Sequence, residues 1–220
     1  MDAASFIDTG RAMPLSKTER LMARHMVSAW AAPMFALVAE IDMSAALANR
    51  AKGVTVTDKI LAACAATLRE HPQLNAHFRD DAKVAYDDVN IGIAVASEKG
   101  LTVPVIHGAQ ALSLEDIAAR RHDLVERTRA GRVKINEVTG GTFSVSNLGM
   151  FEISRFTAIL NPPQVAILAV GASIRRQLWN GGDPQWRPVA DFTLTCDHRA
   201  VDGAAGAAFL GALKARLEVS

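Results

Sequence analysis

The sequence predicts one α+β domain: two layers, a mixed sheet with helices packed on it. Three observations carry this. Runs with apolar residues at helical spacing are interspersed with runs of period two. The helices and strands follow no regular βα repeat, and no internal repeat is visible. No Gly/Ser/Pro-rich linker divides the 220 residues, which are 50% hydrophobic and 21% charged. A chain of that length and composition buries a sizeable core and is not dominated by disorder.

Residues 1–14 read as a tail or linker remnant and residues 15–220 as the domain. Ser16 with Glu19 three residues on forms a capping box, opening a helix through LMARHMVSAW that Pro33 stops. MFALVAEIDM alternates and reads as a strand, after which Ser44 caps a short helix closing at Gly53. Thr57 is placed as the cap of DKILAACAATLREH, with Pro72 beyond its end. From Asn75 to Ile106 the period changes to two, in HFRDD, KVAYDD, VNIGIAVAS and LTVPVI, predicting a meander of strands. Ser113 with Asp116 opens what should be the longest helix, which Gly131 stops. The C-terminal third then offers the strands GTFSVSNLG, RFTAIL, QVAILAVGAS, SIRRQLW and PVADFTLTC, with a hairpin turn signal at Asn180 to Gly182. A small-residue helix closes the chain from Gly203 to about Leu217.

The formal charge of +1 comes from basic and acidic residues scattered evenly, which gives no footprint for nucleic acid and no polybasic membrane patch. The longest apolar runs, Ile60 to Leu68 and Gln164 to Ala172, fall short of the roughly 20 residues of a membrane span. The N-terminus has an early acid and no apolar core of a signal peptide. Cys64 and Cys196 lie in apolar surroundings without CxxC spacing, so both are assigned to core packing in a reducing compartment. The expected location is cytoplasmic, or the mitochondrial matrix in a eukaryote.

The chemistry concentrates in TCDHRAVDGAAGAAFL, residues 195–210, where an apolar strand gives way to a loop carrying Asp197, His198, Arg199 and Asp202. A metal site is not expected: neighbours on a strand point to opposite faces, and no second histidine stands at a ligand spacing. Cys196, turned away from His198 by the same alternation, reads as core. His198 could be a hydrogen-bonded strand-end histidine beside an Arg199–Asp202 surface ion pair. It equally suits a general base, since a histidine's ordinary pKa of about 6.5 leaves it neutral and able to take a proton near pH 7. Gly203 to Gly206 would let backbone approach a bound molecule. Acyl transfer also needs an oxyanion donor, for which GGTFSVSNLGM offers Ser146 at a strand end on the same face as Ser144. Ser146 and Asn147 could instead make a simple polar turn. No GxSxG elbow marks Ser146 as a nucleophile, and no GK[ST] follows Gly140–Gly141 to make a phosphate loop.

In this order and spacing, TFSVSNLGMF, FTAILNPPQVAILAVGA and TCDHRAVDGA resemble the catalytic domain of the dihydrolipoamide acyltransferases of 2-oxo acid dehydrogenase complexes. The likeness extends from about Pro14, through PLSKTERLMARHM and VNIGIAVASEKGLTVPVI, nearly to the C-terminus. The resemblance implies a chloramphenicol acetyltransferase-like fold and a homotrimer with each active site in a channel between two subunits. It implies transfer of an acyl group, with a lean to acetyl as in pyruvate dehydrogenase complexes, between dihydrolipoamide and coenzyme A. Within that resemblance His198 matches the base, Ser146 the hydroxyl that binds the oxyanion, and Asp202 the acid that orients the site through an arginine. Coenzyme A is then a substrate, and the partners are a lipoyl domain and the dehydrogenase components.

The sequence departs from the family pattern in places. The lipoyl and subunit-binding domains that normally precede this domain are absent from it, so lipoyl groups are expected in trans unless the chain is a fragment. Pro33-Met34-Phe35 replaces the frequent Pro-His-Phe, and Glu152 stands where a glycine is usual. The chain stops at Leu217-Glu218-Val219-Ser220 in place of an apolar tail, which leads to the expectation of a trimer that assembles no further. Two other functions remain open: a non-catalytic scaffold of such a complex, and an acetyltransferase for a different small-molecule acceptor.

Overall fold

A computed structural model describes residues 10–48, 51–97, 100–179 and 181–219. Ser16 caps helix α1 (Lys17–Ala29) through the expected box, its hydroxyl accepting from the Glu19 N–H while the Glu19 carboxylate accepts from the Ser16 N–H. Strand β1 (Met34–Asp42) leads to a single helical turn, α2 (Ser44–Leu47). Ser44 is the first residue of that turn and not its cap, because its own N–H is held by the Asp42 carboxylate. Helix α3 (Val56–Glu70) is capped by Thr55 with Asp58, two residues before the expected Thr57. Two threonines precede Asp58, and only the one at the three-residue spacing closes the box.

The meander follows as β2 (Ala76–Arg79), β3 (Ala82–Ala85), β4 (Ile91–Ile93), β5 (Val95–Ser97), β6 (Gly100–Thr102) and β7 (Val105–Ile106). Ser113 caps α4 (Leu114–Arg129), and Gly131, at φ 68°, ends it. The rest is β8 (Phe143–Asn147), β9 (Ala166–Val170), β10 (Ile174–Leu178), β11 (Gln185–Asp197) and α5 (Gly203–Val219). At 17 residues α5, not α4, is the longest helix. Of the expected hairpin turn, Asn180 lies outside the described residues. RFTAIL is not a strand: its backbone joins no ladder and crosses one face of the sheet instead.

One seven-stranded mixed sheet organises the molecule, in the order β1-β11-β9-β8-β4-β7 with β10 paired to β11, while β2–β3 and β5–β6 are separate ribbons. β8 runs parallel to β4 and β9, and the other pairs are antiparallel. Alternation sends Val145, Leu168, Phe192, Leu194 and Cys196 into a core shared with Ile60, Leu61, Ile117, Phe209 and Leu213 of the helices. Each such large side chain contributes about 1.5–3 kcal/mol by leaving water. Gly206 lets α5 lie close on the sheet, since a Cβ there would stand 2.8 Å from Leu37 Cδ1. Gly206 is thus used in the packing of α5 on β1. No helix among the described residues is long and apolar enough to cross a membrane.

The other face of the sheet carries Ser144, Ser146, Ile167, Thr193 and Thr195 in place of a large apolar set. The segment after β8 lies over it. Gly171 permits that close approach, because a Cβ would fall 2.1 Å from the Ser154 carbonyl oxygen. Arg155 from this segment reaches the buried Asp191, whose carboxyl is held below the usual carboxylate range mainly by hydrogen bonds from Arg176 and also from Arg155.

Candidate active site

β11 delivers His198 to the end of the sheet. The residue follows the last strand position, Asp197, and begins an exposed turn whose backbone is pinned by the His198 N–H donating to the Pro33 carbonyl at 2.9 Å. Its ring leans on Phe35 of β1, with centroids 4.8 Å apart and planes 54° apart. Among the described residues the imidazole makes no hydrogen bond, so its nitrogens are available to a substrate. The preceding thiol, Cys196, faces the core, and burial pushes it up to about 12. It holds no useful thiolate at neutral pH and cannot serve as a nucleophile.

The acids and the arginine pair differently from the sequence expectation. Arg199 is bound by Asp197 and not by Asp202: its Nε stands 2.9 Å from Oδ1 and its Nη2 2.6 Å from Oδ2. The Asp202 carboxylate accepts from the Ala205 N–H at 2.8 Å, capping α5. Asp202 thus fixes the junction between the His198 turn and α5, and among the described residues of one chain its carboxylate bonds no arginine.

Ser146 lies at the far end of β8. Its hydroxyl makes no hydrogen bond among the described residues and borders a mainly apolar cavity of about 250 Å³ with Met22, Met26, Leu101, Phe156 and Ile167. Ser144, on the same face as expected, is spent: it donates to Gln164 Oε1 at 2.7 Å. Asn147 makes the polar turn that the sequence allowed, accepting from the Gly149 N–H at 2.8 Å. A larger groove of about 590 Å³ continues past Met22, Leu101 and Asn161 to Gln164.

One chain does not bring Ser146 and His198 together. Ser146 pairs with Ala169 on β9, which pairs in turn with Thr193 on β11, so the strand end at Asp197 is four residues further along and two strands across. At ~3.3 Å per residue and ~4.8 Å per strand, that is roughly 16 Å. A base and an oxyanion donor must each come within about 3 Å of the same reacting thioester.

The NPPQ stretch, residues 161–164, supports the site through contacts that its own sequence does not reveal. Asn161 Oδ1 accepts from His25 Nε2 of α1 at 2.8 Å, and Gln164 holds Ser144. The neighbouring His77 is buried, which lowers its pKa, with Nε2 against the Gly141 carbonyl and Nδ1 against Tyr86 and Arg79. Phe78, whose ring lies under Arg199, was also missed. These partners are distant in sequence and leave no local pattern.

A family model described as "2-oxoacid dehydrogenases acyltransferase (catalytic domain)" matches residues 8–220. The dihydrolipoyllysine-residue acetyltransferase component of the pyruvate dehydrogenase complex of Rickettsia bellii is 39% identical over 170 residues, covering 77% of this chain and 41% of that protein. The chain spans about a third to a half of the length of the curated relatives it matches. Among solved structures, the Azotobacter vinelandii dihydrolipoamide acetyltransferase is 30% identical, with a TM-score of 0.92 covering 99% of this chain and 96% of that one. That structure is described as a study of the role of a serine, a histidine and an asparagine in the catalytic mechanism. Those three residues are separated by fifty-two and four positions, the separations of Ser146, His198 and Asp202 here. Chloramphenicol acetyltransferase, at 14% identity and a TM-score of 0.59 over 93% of this chain and 97% of that one, shares the fold.

Proposed function

The chain belongs to the catalytic-domain family of the 2-oxoacid dehydrogenase acyltransferases, and from this we propose that it transfers an acyl group, acetyl by preference, between dihydrolipoamide and coenzyme A. Neutral His198 takes the proton of the incoming thiol. The thiolate attacks the thioester carbonyl, and the Ser146 hydroxyl hydrogen-bonds the oxyanion that forms. The imidazolium then returns its proton to the leaving thiol. One thioester replaces another, so the equilibrium is nearly balanced and the reaction needs no energy source.

Each working site is assigned to the contact between two copies of the chain in a homotrimer, with His198 from one copy and Ser146 from its neighbour. The roughly 16 Å within one chain between Ser146 and the strand end at Asp197, one residue before His198, supports this. So do the exposed apolar side chains along α1 and after β8, among them Leu21, Val27, Trp30, Met150 and Phe151, which a neighbouring copy would cover. Asp202 is assigned to holding the His198 turn against α5. The asparagine at the same spacing in the Azotobacter protein can cap a helix as an aspartate does. Coenzyme A enters as a substrate, and the lipoyl group arrives on a lipoyl domain of the complex that also holds the dehydrogenase components. Two free buried thiols, Cys64 and Cys196, suit a reducing compartment, the cytoplasm or a mitochondrial matrix.

The observation that carries this reading is the spacing of Ser146, His198 and Asp202, which matches that of the serine, histidine and asparagine of the Azotobacter protein, on a fold that presents the imidazole free at a strand end. The test is acyl transfer from acetyl-coenzyme A to free dihydrolipoamide by the purified protein. Saturable formation of the new thioester is the expected result. No transfer, with acetyl or with longer acyl groups, would favour a scaffold or a different acceptor.

A further inference from the structure

Arg199 is more than a surface cation beside the base. Its guanidinium lies between two jaws: the Asp197 carboxylate on one side, at 2.6 to 3.2 Å, and the Phe78 ring on the other, 4.2 Å from carbon to centroid. The carboxylate also accepts the Arg199 backbone N–H at 3.0 Å, and the Asp197 carbonyl accepts from the N–H groups of Ala200 and Val201. The His198 turn is therefore wound around Asp197 and locked by the arginine it carries. The second jaw belongs to the β2–β3 ribbon, which also sends Lys83 Nζ to the Ala200 carbonyl at 3.1 Å. That ribbon is fastened to the main sheet by the Phe78 N–H on the Pro163 carbonyl and the Val165 N–H on the Ala76 carbonyl.

This arrangement has two consequences for His198. The Pro33 contact fixes its backbone N–H and Phe35 fixes one face of its ring, and the clamp holds the rest of the turn against rotation about Asp197. Arg199 also occupies both Asp197 oxygens, so the carboxylate next to His198 cannot capture the imidazole. We propose that Arg199, gripped between Asp197 and Phe78, is a positioning residue that holds the His198 turn in its productive geometry and keeps its imidazole unpaired. The β2–β3 ribbon is on this view the outer wall of the site. The inference rests on His198 being the base.

The test compares Arg199→Met, Arg199→Lys and Phe78→Leu with the unaltered protein and with His198→Ala, in acetyl transfer and thermal unfolding. Methionine keeps apolar contact with Phe78 and loses the fork on Asp197. It is expected to lower kcat about ten- to hundred-fold, since displacing a reacting group by ~1 Å costs up to ~10²-fold. KM should stay within about three-fold, because no substrate contact is removed. Lysine restores the charge without the planar fork and recovers part of the loss. Phe78→Leu should cost about two- to five-fold in kcat, from a cation–π contact of ~0.5–1 kcal/mol at an exposed site. A merely structural role would lower the melting temperature while leaving kcat per folded molecule unchanged. If Arg199→Met does not fold, the kcat of Arg199→Lys and Phe78→Leu decides. A variant set with kcat at the unaltered level while His198→Ala is inactive would overturn the positioning role alone. Full activity in His198→Ala would overturn the base assignment on which it stands.

Discussion

Replacing His198 by alanine lowers kcat by about two to four orders of magnitude, the usual contribution of a positioned base. The magnitude follows from the chemistry: without the imidazole, thiol deprotonation falls to solvent, and the thiolate fraction of an ordinary thiol near pH 7 is a few per cent. The loss should appear in kcat and kcat/KM together, since the proton transfer exists only on the way to the transition state. The fold should not suffer. His198 is exposed, and among the described residues its one hydrogen bond is made by a backbone N–H that alanine keeps and its ring contact is the single aromatic Phe35. A surface change of this kind costs no more than about 1 kcal/mol. Unaltered turnover in His198→Ala, measured on folded protein, would end its assignment as the base.

Replacing Ser146 by alanine should cost about two to three orders of magnitude in kcat, as for other single oxyanion donors. Here the structure separates function from stability within one strand. The Ser146 hydroxyl is unbonded among the described residues and borders the cavity, so its removal leaves no partner stranded. Two residues earlier, Ser144 donates to the buried Gln164 side chain, and its loss would leave that oxygen unpaired at a cost of about 1–3 kcal/mol. Ser146→Ala is therefore expected to lose turnover at a nearly unchanged melting temperature, and Ser144→Ala to lose stability first. A loss confined to KM in Ser146→Ala would reduce that hydroxyl to a substrate contact.

Much of the fold can be read locally, because its signals are local. The Ser16–Glu19 box, Gly131 at φ 68° and the alternation of GTFSVSN each place an element from a few neighbouring residues. The errors arise where the answer is tertiary. RFTAIL alternates like a strand, yet it crosses the polar face of the sheet, anchored by the glycine at 171 and by Arg155 on Asp191. Nothing in its own residues tells a crossing segment from a paired one.

The site divides in the same way. His198 stands out as an imidazole where an apolar strand ends, and Ser146 as a hydroxyl at the end of another. Their separation depends on the order β11-β9-β8, which no local pattern contains. The arginine's partner was misjudged for a related reason. Spacing alone pairs Arg199 with Asp202 as readily as with Asp197, until capping of α5 engages Asp202 and the strand end turns Asp197 toward the guanidinium.

The proposed site is divided between two copies of the chain, and mixing two inactive variants tests that directly. His198→Ala and Ser146→Ala proteins are each purified, unfolded together in equal amounts, refolded and assayed for acetyl transfer. In a cyclic trimer each mixed assembly regains one site with both groups, so random mixing should restore about a quarter of full activity. The same variants refolded separately should remain inactive. Mixed assemblies no more active than the separate variants would contradict the divided site.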